Sequence, residues 1–285
     1  MMNVLLLIIS IFMGAGRSIF SKKMSLDSKA SKSFYMNQTV LFLVSAASIA
    51  LFSIKSLNTV TLTTVIYGVI FGIVTFSAQW CYSLSLSKGP TSICAMIYSF
   101  GFIFPTVSGF LFWNEPFKLT LVLGILTVIA SIILSSLSVD TKTQNDKSFI
   151  FTALVAMVSA GGLGIIQKIH QSSADKNNLG AFLIIAFIVA AALSFVFAQL
   201  GGNIAKAKTK LNIFSLLAGI CFGLVSMLNT LLAGRMPSTI LFPILNIGVM
   251  MACFVAGMLV FKENPSKRQL SAFLLGILAI VILSL

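Results

Sequence analysis

Ten apolar blocks follow one another along the chain, at residues 3–20, 33–54, 61–86, 91–113, 119–138, 148–169, 179–200, 211–233, 238–261 and 268–285. A helix that spans a bilayer needs about 20 apolar residues, and each block is of that order. Polar residues gather between the blocks. The longest polar breaks are Ser21–Lys32, Asp140–Lys147, Gln171–Asn178 and Gly201–Lys210. Hydrocarbon offers no water to a backbone, so each block must close its own N–H and C=O groups as a helix. The pattern predicts an all-α polytopic membrane protein with ten transmembrane helices.

Composition narrows the picture further. The chain has 285 residues, 58% hydrophobic and only 9% charged, with a mean hydropathy of +1.06. Soluble domains carry about 25% charge, so a soluble enzyme and a disordered chain are both excluded. Ten helices use about 200 residues, which leaves no room for a soluble catalytic or nucleic-acid module.

The 19 Lys and Arg against 6 Asp and Glu give a net charge of +13. They sit in short loops, where they set topology and meet anionic lipid, so no nucleic-acid partner is expected. The loops on one side carry 13 basic residues, Lys22 and Lys262 among them. The other side carries five: Lys55, Lys118, Lys168, Lys176 and Arg235. The excess predicts that the first set is cytoplasmic and both termini are outside. Met1-Met2-Asn3 lacks a basic leader region, and the first apolar block reads as a retained helix rather than a signal peptide. Cys81, Cys94, Cys221 and Cys253 all lie in apolar blocks without metal-ligand spacing. They read as packing residues, and no metal or cofactor is expected.

The halves repeat. At a shift of 148 residues, Gly109 to Glu115 falls on Gly257 to Glu263, and Gly124 on Ala272. At a shift of 145, Gly16 to Lys23 falls on Gly161 to Lys168. Pro-containing turns, Lys88-Gly-Pro90 and Arg235-Met-Pro237, precede the fourth and ninth blocks. Five helices per half is an odd number, so the second copy enters the membrane from the opposite side, as in inverted-repeat transporters. The reading is residues 1–139 as one five-helix repeat, 140–147 as linker, and 148–285 as the second repeat.

On these residues the chain resembles the ten-helix, EamA-type branch of the drug/metabolite transporter superfamily. The resemblance rests on Pro105 through Glu115 with Gly124, and on Pro243 through Glu263 with Ala272. Three departures are plain: Cys253 stands where the first half has Pro105, Ala95 where the second has Pro243, and Ala272 where a Gly is more usual. The resemblance implies a substrate cavity between the repeats, closed alternately at each end. It also implies that helices five and ten lie at the periphery.

Candidate site residues follow from helical spacing. Gly68, Gly72, Thr75, Gln79 and Tyr82 share a face of the third helix, as do Ser10, Gly14, Arg17 and Ser21 on the first. Further polar stripes are Gly219, Gly223, Ser226 and Thr230 with Asn229 beside them, and Pro243, Asn246, Met250, Cys253 and Gly257. Small residues in such stripes serve helix packing or a cavity wall. The amides Gln79, Asn229 and Asn246 are costly against lipid and point to a cavity. Arg17, the one basic residue well inside an apolar block, must snorkel or meet a partner or an anionic substrate group. Tyr67, Trp80, Tyr98 and Ser99 complete the candidate substrate-binding set, with Ser226. Gly16, Pro105, Glu115, Gly161, Pro243 and Glu263 are read as gating or structural.

None of the six acids sits mid-helix, which argues against proton coupling through a buried carboxylate. One His and scattered acids also argue against an enzyme. The expected function is secondary transport of a small polar or amphipathic metabolite, an amino acid or related compound, by alternating access. The alternative is a flippase for a lipid or lipid-linked metabolite. The expected partners are the solute and membrane lipid, in a monomer or homodimer. A bacterial plasma membrane suits the short loops.

Overall fold

The computed structural model describes residues 2–27, 31–53, 60–115, 119–137, 148–200 and 212–284. Among them there are helices and no strands. Helices α1 (Met2–Asp27), α2 (Ser31–Ser53) and α3 (Leu62–Lys88) correspond to the first three apolar blocks. The fourth block is divided: α4 (Thr91–Ser99), a 3-10 turn (Phe100–Phe102) and α5 (Ile103–Phe112). Then come α6 (Leu119–Leu137), α7 (Ser148–Ser172), α8 (Leu179–Leu200), α9 (Ile213–Ala233), α10 (Ser238–Phe261) and α11 (Lys267–Ser284). Eight spans among the described residues are long and apolar enough to cross a bilayer, with α4 to α5 counting as one. The expected linker, 140–147, lies outside the described residues, as do several of the loop lysines that enter the charge count.

Two boundaries differ from the hydropathy pattern. The first helix runs on to Asp27, through the polar stretch that begins at Ser21. Lys22, Met24 and Ser25 are buried there, so packing holds the helix beyond the end of its apolar run. The fourth block breaks just before Pro105. The ring then falls in the first turn of α5, where its missing N–H costs no helical bond. Pro243 instead sits inside α10, which stays continuous around it.

The helices of the two halves interleave. In the core, α1 packs on α9 and α10, α2 on α8 and α9, α3 on α7 and α8, and α4 and α5 on α7 and α10. Phe42, Phe71, Phe182 and Phe187 are buried where α2, α3 and α8 meet. Outside this core α6 and α11 pack on each other, joined by a 2.6 Å hydrogen bond from Ser131 Oγ to the Ala272 carbonyl. Large apolar side chains point outward on most helices, among them Leu5, Phe12, Leu51, Ile73, Phe151, Phe195 and Leu259. That surface suits lipid as solvent.

Helix ends explain the next layer of structure. Thr61 and Asn212 cap α3 and α9 with their own side chains. Pro90 and Pro237 stand at the same position before α4 and α10 and can offer no such bond. The orphan N–H groups are met from the far half instead. Glu263 accepts from Thr91 N at 2.6 Å and from Ser92 N and Oγ at 3.3 and 3.1 Å. Glu115 accepts from Ser238 N at 2.9 Å and Thr239 N at 3.0 Å. Each acid is also paired with a lysine: Glu263 with Lys22 at 2.6 Å, Glu115 with Lys168 at 3.7 Å. The chain turns into each acid through a left-handed residue, Asn114 or Lys262. Glu115 N–H then bonds back to Gly109 O at 3.2 Å, and Glu263 N–H to Gly257 O at 3.0 Å. A carboxylate at a helix N-terminus is favoured by the helix dipole as well.

Candidate functional site

The predicted stripe on α1 is real in space. Ser10, Gly14, Arg17 and Ser21 are all buried on its inner face, and Ser18 joins them. Arg17 is only 7% exposed. Its Nε and Nη2 both donate to Gln79 Oε1, at 3.0 and 2.5 Å, and Nη1 donates to Tyr98 Oη at 3.2 Å. Gln79 Nε2 in turn donates to Ser21 and Ser83 Oγ, at 3.1 and 3.0 Å, which fixes the amide's orientation. Tyr82 donates to Ser18 Oγ at 2.9 Å, and Tyr82 and Tyr98 lie ring to ring at 4.3 Å. The Arg17 guanidinium carbon sits 3.7 Å from the centre of the Phe222 ring. A buried charge so costly to expose to lipid is thus held by one amide, one phenol and aromatic faces.

Beside this group is a cavity of about 110 Å³, reached by side chains of α1, α3, α4, α5, α7, α9 and α10 and of the 3-10 turn. Arg17, Tyr98, Ser226, Asn229, Asn246 and Pro105 line it, all six of them foreseen as site residues. Ser10 Oγ donates to Asn229 Oδ1 at 2.6 Å, and Asn246 Nδ2 to the Phe242 carbonyl at 2.7 Å. Among the described residues, no Asp or Glu lines the cavity.

The other candidates lie elsewhere. Gln79 is fully buried behind Arg17 and positions it. Ser99 is buried outside the lining, its hydroxyl without a partner among the described residues. Tyr67 meets His170 edge-on at 6.4 Å, and His170 stacks on Phe182 at 4.2 Å. Trp80 stacks with Phe76 and Phe197 and leans on Tyr35. Gly16 faces Cys221 on α9, and Gly161 faces Phe104 on α5. Glu115 and Glu263 are the helix caps described above. Gln167 lines the cavity and was not foreseen. Its signal was there: Gly161, Gly164 and Gln167, three apart, share one face of α7.

Trp80 therefore belongs to packing between α2, α3 and α8. Trp80→Ala is expected to lower the melting temperature of the purified protein through the lost ring contacts, each about 0.5–1.5 kcal/mol. It should leave the KM for the transported solute unchanged. A large KM change without a stability change would place Trp80 at the solute.

Residues 1–137 match the family described as EamA-like transporter family. Over that stretch, just under half of its length, the chain is similar to the EamA-like transporter family. Members of that family are membrane transporters of the drug/metabolite type, not enzymes, and the apolar helices of this EamA-like chain make it a multi-pass membrane protein. A solved crystal structure is similar over 99% of this chain and 97% of its own, with 11% identity and a TM-score of 0.66. At that identity the likeness concerns the fold. No curated protein matches.

Proposed function

We propose that this chain is a secondary transporter that moves a small polar or amphipathic metabolite, an amino acid or related compound, by alternating access. The cavity carries the reading. It is lined by helices of both halves, it presents a guanidinium and three amides, and among the described residues no carboxylate lines it. Its volume is well below the about 300–1,000 Å³ that drug-sized ligands fill, which favours a small solute over a lipid-linked one.

Two inverted five-helix repeats, 1–139 and 148–285 joined by 140–147, form the scaffold in this reading, with ten membrane spans. Three observations support it. Exchanging the helices of the two halves in order leaves the packing pattern unchanged: α3 on α7 becomes α9 on α1, and α3 on α8 becomes α9 on α2. Gly68 and Gly72 let α3 approach α8, as Gly219 and Gly223 let α9 approach α2. The two acid caps mirror each other, with Lys22 and Lys168 in the same role; this pairing shifts the sequence match of the lysines by one residue, from Lys23 to Lys22. The caps are the gates of the reading, one released at a time. The charge count orients both termini outside, in a bacterial plasma membrane.

The test is flux into proteoliposomes for a panel of labelled amino acids and small metabolites, with and without a pH gradient. Saturable flux that survives collapse of the gradient is expected. Flux abolished by that collapse would refute uncoupled transport. Lipid translocation with no solute flux would establish the flippase instead.

A further inference from the structure

We propose that the solute is a small organic monocarboxylate, with its acid group docked on Arg17 and a neutral polar group turned to the amides. This rests on the transporter reading above and narrows its solute class to amino-acid-related acids that lack the ammonium. Arg17 has no ion-pair partner among the described residues. The acids nearest in role are committed elsewhere: Glu263 to Lys22, Glu115 to Lys168, and Asp27 to Asn212 Nδ2 at 2.9 Å. A guanidinium carries five N–H donors. Three are engaged, two by Gln79 and one by Tyr98. Two are left on a group that faces the cavity. That is the number a carboxylate takes in a bidentate pair.

The opposite requirement, a neutral hydrogen-bonding wall, is also met. Gln167 is 6% exposed, lines the cavity and has no hydrogen-bond partner among the described residues. Asn229 keeps its Nδ2 uncommitted and Asn246 its Oδ1, since each makes its single bond through the other amide atom. Ser10, which holds Asn229, is seven residues from Arg17 on α1, about 10 Å along the axis. An acid at one end and a hydroxyl or oxo group further along would satisfy both regions. An ammonium would find no carboxylate, and a dianionic phosphate would bring two charges to one cation.

The experiment uses the full chain in proteoliposomes. The probes are two- to six-carbon hydroxy and oxo acids, with the neutral group at carbon 2 or further along the chain, each with its neutral amide and its amino-acid counterpart. At least one acid should show saturable uptake, on the order of tenfold or more above its amide, given what an unpaired buried charge costs. An inside-positive potential, set with potassium and valinomycin, should speed uptake of that acid. Arg17→Gln should lose the acid's advantage, and Arg17→Lys should recover part of it. Amides or amino acids carried as fast as acids, or acid uptake indifferent to potential, would overturn the inference. The wild-type potential arm decides even if Arg17→Gln fails to fold. Flux of other solutes without any acid flux would sink the inference alone. No solute flux of any kind would sink the transporter reading with it.

Discussion

Glu263→Ala should destabilise the protein by about 3–5 kcal/mol, the usual cost of stranding one member of a buried ion pair. The side chains of Lys22 and Glu263 are only 9% and 14% exposed. Removal of the carboxylate leaves the Lys22 ammonium buried beside the Phe261 ring, and leaves Thr91 and Ser92 N–H without acceptors. The melting temperature of the purified protein reads the effect. Glu115→Ala should cost less, because its lysine stands further off, at 3.7 Å. Equal melting of wild type and Glu263→Ala would show that this cap contributes nothing to the fold. Acid should act in the same sense. Burial pushes the Glu263 carboxyl up, but the Lys22 ammonium and the hydrogen bonds from Lys22 and Thr91 outweigh it and hold it below its ordinary 4.5. The stabilisation is therefore complete above pH 4.5 and is lost as pH falls through the lower native value. Glu263→Ala should flatten that part of the stability profile.

Gly219→Leu should prevent α9 from reaching α2. A Cβ at Gly219 would stand 2.5 Å from the Leu41 carbonyl oxygen and 2.8 Å from Val44 Cβ, and backbone cannot swing aside as a side chain can. The two helices also share a bond, Ser45 Oγ to the Gly219 carbonyl at 2.8 Å. Overpacking costs about 1–3 kcal/mol or more, and the lost bond about another 0.5–1.5 kcal/mol. The expected result is a low yield of monodisperse protein on size exclusion and a lowered melting temperature. Gly162→Ala is the control, since its Cβ would meet only Val74, at 3.6 Å. A Gly219→Leu protein that behaves like this control would mean that α2 and α9 are not held at this distance.

The sequence carried the helices and their inner faces well. The five-residue stripe on α3 is buried from Gly68 to Tyr82, as its spacing required. Spacing names a face but not its neighbour. The glycine end of the stripe turned out to pack on α8, while Gln79 and Tyr82 serve Arg17 and Ser18 on α1. Arg17 and Gln79 are 62 positions apart, and nothing local in either helix couples them. Trp80 shows the same limit from the other side. It follows Gln79 directly, yet one residue turns about 100° around a helix, which carries the indole away to Tyr35, Phe76 and Phe197. The acids at 115 and 263 were legible as helix-end residues. That each caps a helix of the opposite half follows from Pro90 and Pro237, whose helices needed an acceptor from elsewhere.

The division of the fourth span by its 3-10 turn, against the unbroken α10, makes the two faces of the cavity mechanically unequal. A carrier driven only by its solute cannot rectify on that account, because net flux vanishes at equal concentrations and zero potential however readily either wall bends. The inequality is displaced into kinetics. For the uncoupled carrier proposed above, half-saturation should differ between the two membrane faces, while the ratio of maximal rate to half-saturation should stay common to both directions at zero potential.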